Sequence, residues 1–252
     1  MSGKKFASNA QDDERTTTDL DPLARRFQME GLAKTRLSVQ TLNRVLLESL
    51  IDHGINAVGV SPCFAAPSMR ADGSSAAAAN ELRTVVEDAL VAGLVPVLHG
   101  DACLYGTRTA GILSGDTLFE ILGLAPWATR GVFLTDVAGV YTADPRIHKN
   151  ATFLPSIGIP AGSSGDGDDV GGKLVLDHDQ ARDISSSTIA ASESLHPQDV
   201  TGGFKTKLAA ALAVAASGVN VTIAQCGSAS AVNAVQGVLD SASTSTVIYR
   251  VT

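Results

Sequence analysis

The chain of 252 residues carries a net charge of −7, and 44% of its residues are hydrophobic but only 4% aromatic. This length suits one α/β domain with an aliphatic core. The 19 basic residues are scattered rather than grouped in a stripe, which argues against nucleic acid as a partner. No run approaches the roughly 18 to 20 apolar residues that span a bilayer, and no signal-peptide core is present. We therefore expect a cytoplasmic protein with no membrane partner.

The cysteine spacing predicts reduced thiols. Cys63, Cys103 and Cys226 lie far apart and form no CxxC pair. Such spacing argues against a disulfide scaffold or a zinc site and is typical of a reducing compartment.

Hydrophobic periodicity predicts alternating helices and strands. Residues 1–27 are polar and are expected to form a disordered tail before a domain at 28–252. A helix is expected from Thr35 until Gly54 ends it. The predicted strands are 55–60, 94–98, 131–135, 219–224 and 246–251, and the predicted helices are 77–92, 116–122, 203–217 and 229–239. This alternation is typical of a parallel sheet covered on both faces.

Residues 158–196 interrupt this pattern with a Gly- and Ser-rich stretch, which predicts a long, partly mobile surface insertion. Within it, Gly167–Lys173 matches the first seven positions of a Walker A loop. Leu174 replaces the hydroxyl residue that would bind Mg²⁺, and no strand precedes the loop, so we reject this interpretation. His178 lies between two aspartates without further partners, which predicts a solvated side chain rather than a metal ligand.

Three glycine-containing segments follow predicted strands or precede a predicted helix: His99–Asp101, Ser114–Asp116 and Thr135–Tyr141. Ligands of open parallel sheets bind beyond the carboxyl ends of the strands. Glycine lets backbone N–H groups approach an anion, and a carboxylate there can orient a lysine or hold Mg²⁺. Glycine and aspartate are also ordinary turn residues, so both interpretations stay open.

Thr201, Gly202 and Gly203 stand at the start of the strongest predicted helix. Free backbone N–H groups and the positive end of the helix dipole suit a phosphate there. Lys205 and Lys207 supply cations that can follow charge between phosphoryl groups. An ordinary helix cap with solvated lysines is the alternative.

An ordered series of motifs extends along the chain. Its members are Glu30–Arg36, Val39–Asn43, Gly59–Pro62, Pro96–Asp101, Ile112–Asp116, Val132–Tyr141, Asp144-Pro145 and Thr201–Lys207. In order and spacing the series resembles the amino acid kinase superfamily, and most of all its isopentenyl phosphate kinase branch, to which the fosfomycin kinases are related. The resemblance covers about residues 28–252 apart from the insertion.

The resemblance implies a three-layer α/β/α sandwich with a mainly parallel central sheet. It also implies transfer of a phosphoryl group from ATP, with Mg²⁺, to isopentenyl phosphate, giving isopentenyl diphosphate for isoprenoid biosynthesis. Phosphoryl transfer depends on positioning and charge neutralisation, which these residues can supply. A homodimer is a further implication, and no resident metal site is expected.

Site residues carried over from the family fall into two groups. On the acceptor side, Ser114 and Gly115 bind the substrate phosphate. On the nucleotide side, the ATP-binding residues are Asp136, Tyr141, Asp144, Gly203 and Lys207. Asp116 and Lys207 are the catalytic pair, Asp116 organising cationic groups and Lys207 stabilising the transferred phosphoryl group. The resemblance therefore predicts that Asp116 and Lys207 approach one another in one cleft.

The sequence departs from the family before Glu30. Family members begin with a strand, a Lys-Gly-Gly loop and a Gly-Ser-Phe-Gly-His stretch, and Gly3–Asn9 does not match them. We expect the first strand and the Gly-rich loop to be missing from the sheet. We also expect the chain to bind Mg·ATP weakly and to phosphorylate the acceptor barely, because each lost donor costs roughly 100- to 1,000-fold in rate.

Two alternatives stay open. One is a kinase for another small acid or monophosphate, of the uridylate, acetylglutamate or fosfomycin type. Small apolar side chains beside Gly115 would favour the isoprenoid, whereas groups that read a base would favour uridylate. The other is a non-catalytic nucleotide-binding or dimerisation module, which the missing front motifs favour.

Overall fold

The computed structural model describes residues 21–66, 69, 75–105, 109–143, 145, 147–160, 203–238 and 244–251. The chain divides into two compact units, Met1–Leu118 and Phe119–Thr252. None of the described helices is long and apolar enough to cross a bilayer. The predicted mixture of helices and parallel strands is present in both units, but three of the six described strand pairs are antiparallel.

The first unit begins with a long helix, α1, at Pro22–Asp52. Asp21 caps it, since its Oδ1 accepts a hydrogen bond from the Leu23 N–H at 3.3 Å, and proline at the first helical position is pre-organised for a helix. The helix therefore starts before Thr35, and residues 22–27 are not part of a tail as predicted. Leu23 and Phe27 are exposed, so this first part of α1 had no buried face to mark it by periodicity. The rest of the predicted tail, residues 1–20, lies outside the described residues.

A parallel pair of strands lies against α1. Strand β1, Ala57–Val60, pairs in register with β2, Val95–Leu98. Helix α2, Pro62–Ala65, and helix α3, Ala76–Val91, lie between them in sequence. The two predicted strands and the helix α3 are confirmed. Helix α2 was not predicted, because a single helical turn is too short to show hydrophobic periodicity. The Asn43 Nδ2 of α1 donates to the Val97 carbonyl at 3.4 Å and ties the helix to the pair.

An antiparallel hairpin follows, with β3 at Asp101–Tyr105 and β4 at Thr109–Leu113. It leads into helix α4, Gly115–Gly123. The sequence predicted only a turn here, because the residues of the two strands show little alternation of apolar and polar side chains. The expectation of no disulfide is also wrong: Cys63 of α2 and Cys103 of β3 form one, with their Cα atoms 6.2 Å apart. The fold brings together two cysteines that are 40 positions apart, which spacing alone does not reveal.

The second unit contains a four-stranded sheet in the order β5-β9-β10-β8. Its strands are β5 (Arg130–Thr135), β9 (Asn220–Gln225), β10 (Ser245–Arg250) and β8 (Ser156–Ile159). Strands β5 and β9 are parallel, β10 is antiparallel to β9, and β8 is parallel to β10. A short antiparallel pair joins β6 (Val140–Tyr141) to β7 (Phe153–Leu154).

Strand β8 corrects the start of the predicted insertion. Residues 158 and 159 belong to β8, whose Ile157 and Ile159 are buried against the core, rather than to a surface segment. Residues 161–202 lie outside the described part of the chain, and they include the Walker-like loop and His178 of the predicted insertion.

Two helices pack on the second sheet. Helix α5, Gly203–Ala216, buries its apolar face against Val221, Ile223 and Ile248. The alternate side chains of β9, Thr222 and Ala224, are buried as well, and helix α6, Ala229–Gln236, packs against β9 and β5. Burial of successive residues in β9 is typical of a strand covered on both faces.

Candidate functional site

Two of the predicted glycine segments meet in the first unit. A Cβ on Gly100 would lie 3.1 Å from the Leu113 carbonyl oxygen and 3.3 Å from the Gly115 nitrogen. The His99–Asp101 segment therefore rests directly on the backbone that leads into α4, a contact that a larger side chain would crowd. The two segments form one surface, although Ser114 follows a strand of a hairpin rather than a parallel strand.

The start of α4 is organised by Ser114. Its Oγ accepts a hydrogen bond from the Thr117 N–H at 3.1 Å and lies 3.0 Å from the Thr117 hydroxyl. The predicted substrate-binding hydroxyl thus serves as the helix cap. No heavy atom of the described structure other than its chain neighbours and helix backbone lies within 4 Å of the position that a Cβ on Gly115 would take. A ligand can therefore approach the Gly115 backbone closely.

Asp116 lies in the first turn of α4. A carboxylate there is favoured by the positive end of the helix dipole. This position gives Asp116 a structural role in the helix as well as the predicted catalytic one. Further along α4, partial burial raises the pKa of the Glu120 carboxyl above its ordinary value.

A buried ion pair fixes the neighbouring Asp101. Its Oδ2 lies 3.2 Å from the Arg36 Nη2 and accepts from the Ser61 hydroxyl at 3.1 Å, while its Oδ1 accepts from the Ala102 N–H at 2.9 Å. The Asp101 side chain is 0% exposed. The Arg36 guanidinium also donates to the Ser61 hydroxyl at 3.1 Å and lies over the Phe64 ring.

This arrangement assigns Asp101 a different task from the one its motif suggested. The carboxylate is occupied by α1, by the end of β1 and by its own strand, so it orients an arginine rather than a lysine or Mg²⁺. Nothing local in the sequence indicates Arg36 as its partner. The only available signal was that Arg36 and Asp101 both belong to the motif series.

In the second unit, Asp136 follows the end of β5 directly. The Thr135 Oγ1 donates to the Val137 carbonyl at 2.8 Å and accepts from the Val137 N–H at 3.2 Å. The Gln225 side-chain amide, at the end of β9, donates to the Asp136 carbonyl at 3.3 Å. Asp136 therefore stands at the carboxyl ends of two parallel strands, where ligands of such sheets bind.

The same loop continues to Tyr141. The Tyr141 ring packs edge-on against Phe153, with the ring centroids 5.3 Å apart. Gly139 lies so close to Thr246 and Phe153 that no Cβ would fit there. The segment is therefore held tightly although it has only two residues in a strand. Asp144, the third residue predicted in this group, lies outside the described residues.

Helix α5 begins at Gly203, whose φ of +60° favours glycine. The Lys207 Nζ lies 4.6 Å from the centroid of the Phe133 ring, on β5. Lys207 therefore lies over the carboxyl half of β5, and Asp136 follows the end of that strand. Thr201 and Gly202 are outside the part of the chain that the structure describes.

The predicted residues thus fall into two sets. Ser114, Gly115 and Asp116 belong to the first unit, and Asp136, Tyr141, Gly203 and Lys207 belong to the second. The approach of Asp116 to Lys207 stays a prediction. Among the described residues, no group of three or more His, Cys, Asp or Glu side chains could hold a metal ion.

Comparisons with known proteins agree with the motif series. The family model described as amino acid kinase family matches residues 1–225. An isopentenyl phosphate kinase of Arabidopsis thaliana is 34% identical over 213 residues, which are 82% of this chain and 58% of that relative. One of Methanothermobacter thermautotrophicus is 33% identical over 158 residues, which are 62% of this chain and 56% of the relative. This chain therefore spans less than two thirds of the length of these relatives.

The fold agrees as well. A solved isopentenyl phosphate kinase structure superposes with a TM-score of 0.62 at 22% identity, covering 95% of this chain and 78% of that one. The predicted fold class, a mixed α/β fold of the amino acid kinase type, is thereby confirmed, with three parallel strand pairs among the six that the structure describes. The matched family model extends over most of the described residues of both units, including every segment of the two residue sets. The chain belongs to the amino acid kinase family.

Proposed function

We propose that this chain is an ATP-dependent kinase that phosphorylates isopentenyl phosphate to isopentenyl diphosphate. The observation that carries the proposal is the 34% identity, over 82% of this chain, to a relative named isopentenyl phosphate kinase. The two sets of site residues support it, because one offers an anion site for an acceptor and the other a lysine and a carboxylate for a nucleotide.

On the acceptor side, the substrate phosphate binds at the start of α4. The open approach to Gly115 and the dipole of the helix favour a phosphate there. The Gly100 backbone packs against the backbone of Leu113 and Gly115 at the start of α4. Arg36 keeps the neighbouring Asp101 in place. Asp116 organises the cations that neutralise charge between the two phosphates.

On the nucleotide side, ATP binds between the loop that carries Asp136, Tyr141 and Asp144 and the start of α5 with Gly203. Lys207 leaves the aromatic face of Phe133 to follow the transferred phosphoryl group. A lysine is a compact charge on a flexible stem, so this displacement requires no backbone movement.

Mg²⁺ fits this residue set as a companion of the nucleotide. Mg²⁺ usually keeps several waters and binds through one or two carboxylates together with substrate phosphates. Asp136 would supply such a carboxylate, and the ion would neutralise charge on the β- and γ-phosphates. We also propose that the chain forms a homodimer, which the exposed apolar side chains Leu37, Leu42 and Val45 of α1 support. The proposed location of the enzyme is the cytoplasm.

Transfer of label from [γ-³²P]ATP to a panel of acceptors tests the proposal. With the chain in excess over ATP, even slow transfer is detected. We expect labelled isopentenyl diphosphate and no labelled product from uridylate, acetylglutamate or fosfomycin. If label is instead transferred to one of those three acceptors, the chain is a kinase of this family with a different substrate. ATP binding without transfer to any acceptor would favour a binding module.

A further inference from the structure

One hydroxyl group joins three strands of the second unit. Thr246, near the start of β10, is 0% exposed. Its Oγ1 accepts a hydrogen bond from the Val140 N–H of β6 at 2.8 Å and donates one to the Leu154 carbonyl of β7 at 2.6 Å. This single side chain therefore bonds to the backbone of both strands of the β6–β7 pair.

The loop that follows β5 rests on this threonine. A Cβ on Gly139 would clash with the Thr246 Oγ1 and would lie 3.0 Å from the Thr246 nitrogen and from the Phe153 ring. The contact leaves no freedom for the Gly139 backbone to move toward β10. The conformation of the loop therefore depends on where Thr246 stands.

The direction of β10 explains why Thr246 reaches this loop. Strand β10 is antiparallel to β9, and β9 is parallel to β5. The first residues of β10 therefore lie at the edge of the sheet where β5 and β9 end. That edge carries Asp136, and the loop runs from it to Tyr141.

We propose that Thr246 is a positioning residue for the nucleotide, holding the segment from Asp136 to Tyr141 in the shape that binds ATP. The inference rests on the proposed function, in which Asp136 and Tyr141 bind ATP. Thr246 itself is buried beneath the segment and acts through Val140 and Gly139.

The chemistry of the hydroxyl makes a sharp substitution possible. Valine has nearly the same shape as threonine but neither donates nor accepts, so Thr246→Val removes the hydrogen bonds to the Val140 N–H and to the Leu154 carbonyl. Serine keeps both hydrogen bonds. Thr222→Val is the matched control, because Thr222 is a buried threonine of β9 and its hydroxyl makes no hydrogen bond to the Asp136–Tyr141 segment in the described structure.

Of the two hydrogen bonds that Thr246→Val removes, only the one to the Val140 N–H holds the Asp136–Tyr141 segment directly, so the expected effect follows from the value of one buried hydrogen bond. The loss of such a bond shifts an equilibrium by about five- to tenfold. Isothermal titration calorimetry with Mg·ATP should show a Kd raised by about that factor in Thr246→Val. The Kd of Thr246→Ser and of Thr222→Val should stay close to that of the parent chain. Hydrogen exchange at the Val140 amide should accelerate in Thr246→Val alone.

The outcomes separate the inference from the proposed function. If the parent chain binds Mg·ATP and Thr246→Val binds it equally well, or Thr222→Val weakens it equally, the inference about Thr246 is wrong. If the parent chain binds no ATP, the proposed function is wrong and the inference falls with it. Should Thr246→Val fail to fold, Gly139→Ala replaces it: this variant pushes the loop away while keeping the hydroxyl, and unchanged ATP affinity would again overturn the inference.

Discussion

The ion pair between Arg36 and Asp101 makes the stability of the first unit sensitive to a single substitution. Arg36→Met keeps much of the side-chain volume but removes the cation. Among the described residues, the Asp101 carboxylate, with its side chain 0% exposed, would then keep the Ser61 hydroxyl and the Ala102 N–H as partners. Breaking one side of a buried pair typically costs about 3–5 kcal/mol.

That cost is a large part of the roughly 5–15 kcal/mol that stabilises an ordinary domain. We expect urea denaturation, followed by circular dichroism, to show a free energy of unfolding lowered by about 3–5 kcal/mol in Arg36→Met. The double variant Arg36→Met with Asp101→Asn should recover part of the loss, because the buried charge is then gone.

A second arginine of the same helix serves as the control. Arg44 pairs with Glu48 at 2.8 Å, but the two side chains are 80% and 59% exposed. Exposed pairs contribute little, so Arg44→Met should leave the free energy of unfolding nearly unchanged. Equal effects of Arg36→Met and Arg44→Met, or a double variant no more stable than Arg36→Met, would refute the reasoning about burial.

Two further substitutions test Glu120 of α4 and Gly100, which packs against the start of α4. Because burial raises the pKa of Glu120, folding favours its protonated form, and stability falls as the pH rises past its ordinary pKa. Glu120→Gln should therefore raise the melting temperature at pH 7 and leave it nearly unchanged at a pH below that ordinary pKa; an equal gain at both would contradict this. Gly100→Ala should raise the KM for the acceptor with little change in ATP affinity, since its Cβ would press on Leu113 and Gly115. The control Gly31→Ala, with open space around it in α1, should change neither constant.

Local signals in the sequence were sufficient for the helix α3 and for the strands β5 and β9, but not for the helix α2 or the hairpin β3–β4. The helix from Ala76 has Ser75 as its cap, and apolar runs mark the strands β5 and β9. Glycine with an acidic residue marked one position where the structure has a close backbone contact, at Gly100, and another where the backbone stays open to a ligand, at Gly115. These features depend on residues only a few positions apart, so they can be read from the chain directly.

Features that depend on distant residues were not predictable. The bond between Thr246 and Val140 joins residues 106 positions apart, and the disulfide joins residues 40 positions apart. Only the fold brings such distant partners together. The start of α1 was missed for a different reason, since its exposed apolar side chains carry no pattern of burial.

In the proposed function, Lys207 is the catalytic cation of phosphoryl transfer. A single-turnover assay with [γ-³²P]ATP and isopentenyl phosphate should compare the parent chain with Lys207→Ala and Lys205→Ala. Both lysines lie near the start of α5, but Lys205 is exposed whereas Lys207 lies against Phe133. We predict that Lys207→Ala slows transfer by roughly 100- to 1,000-fold and that Lys205→Ala changes it little. Equal rates for Lys207→Ala and the parent chain would contradict the account.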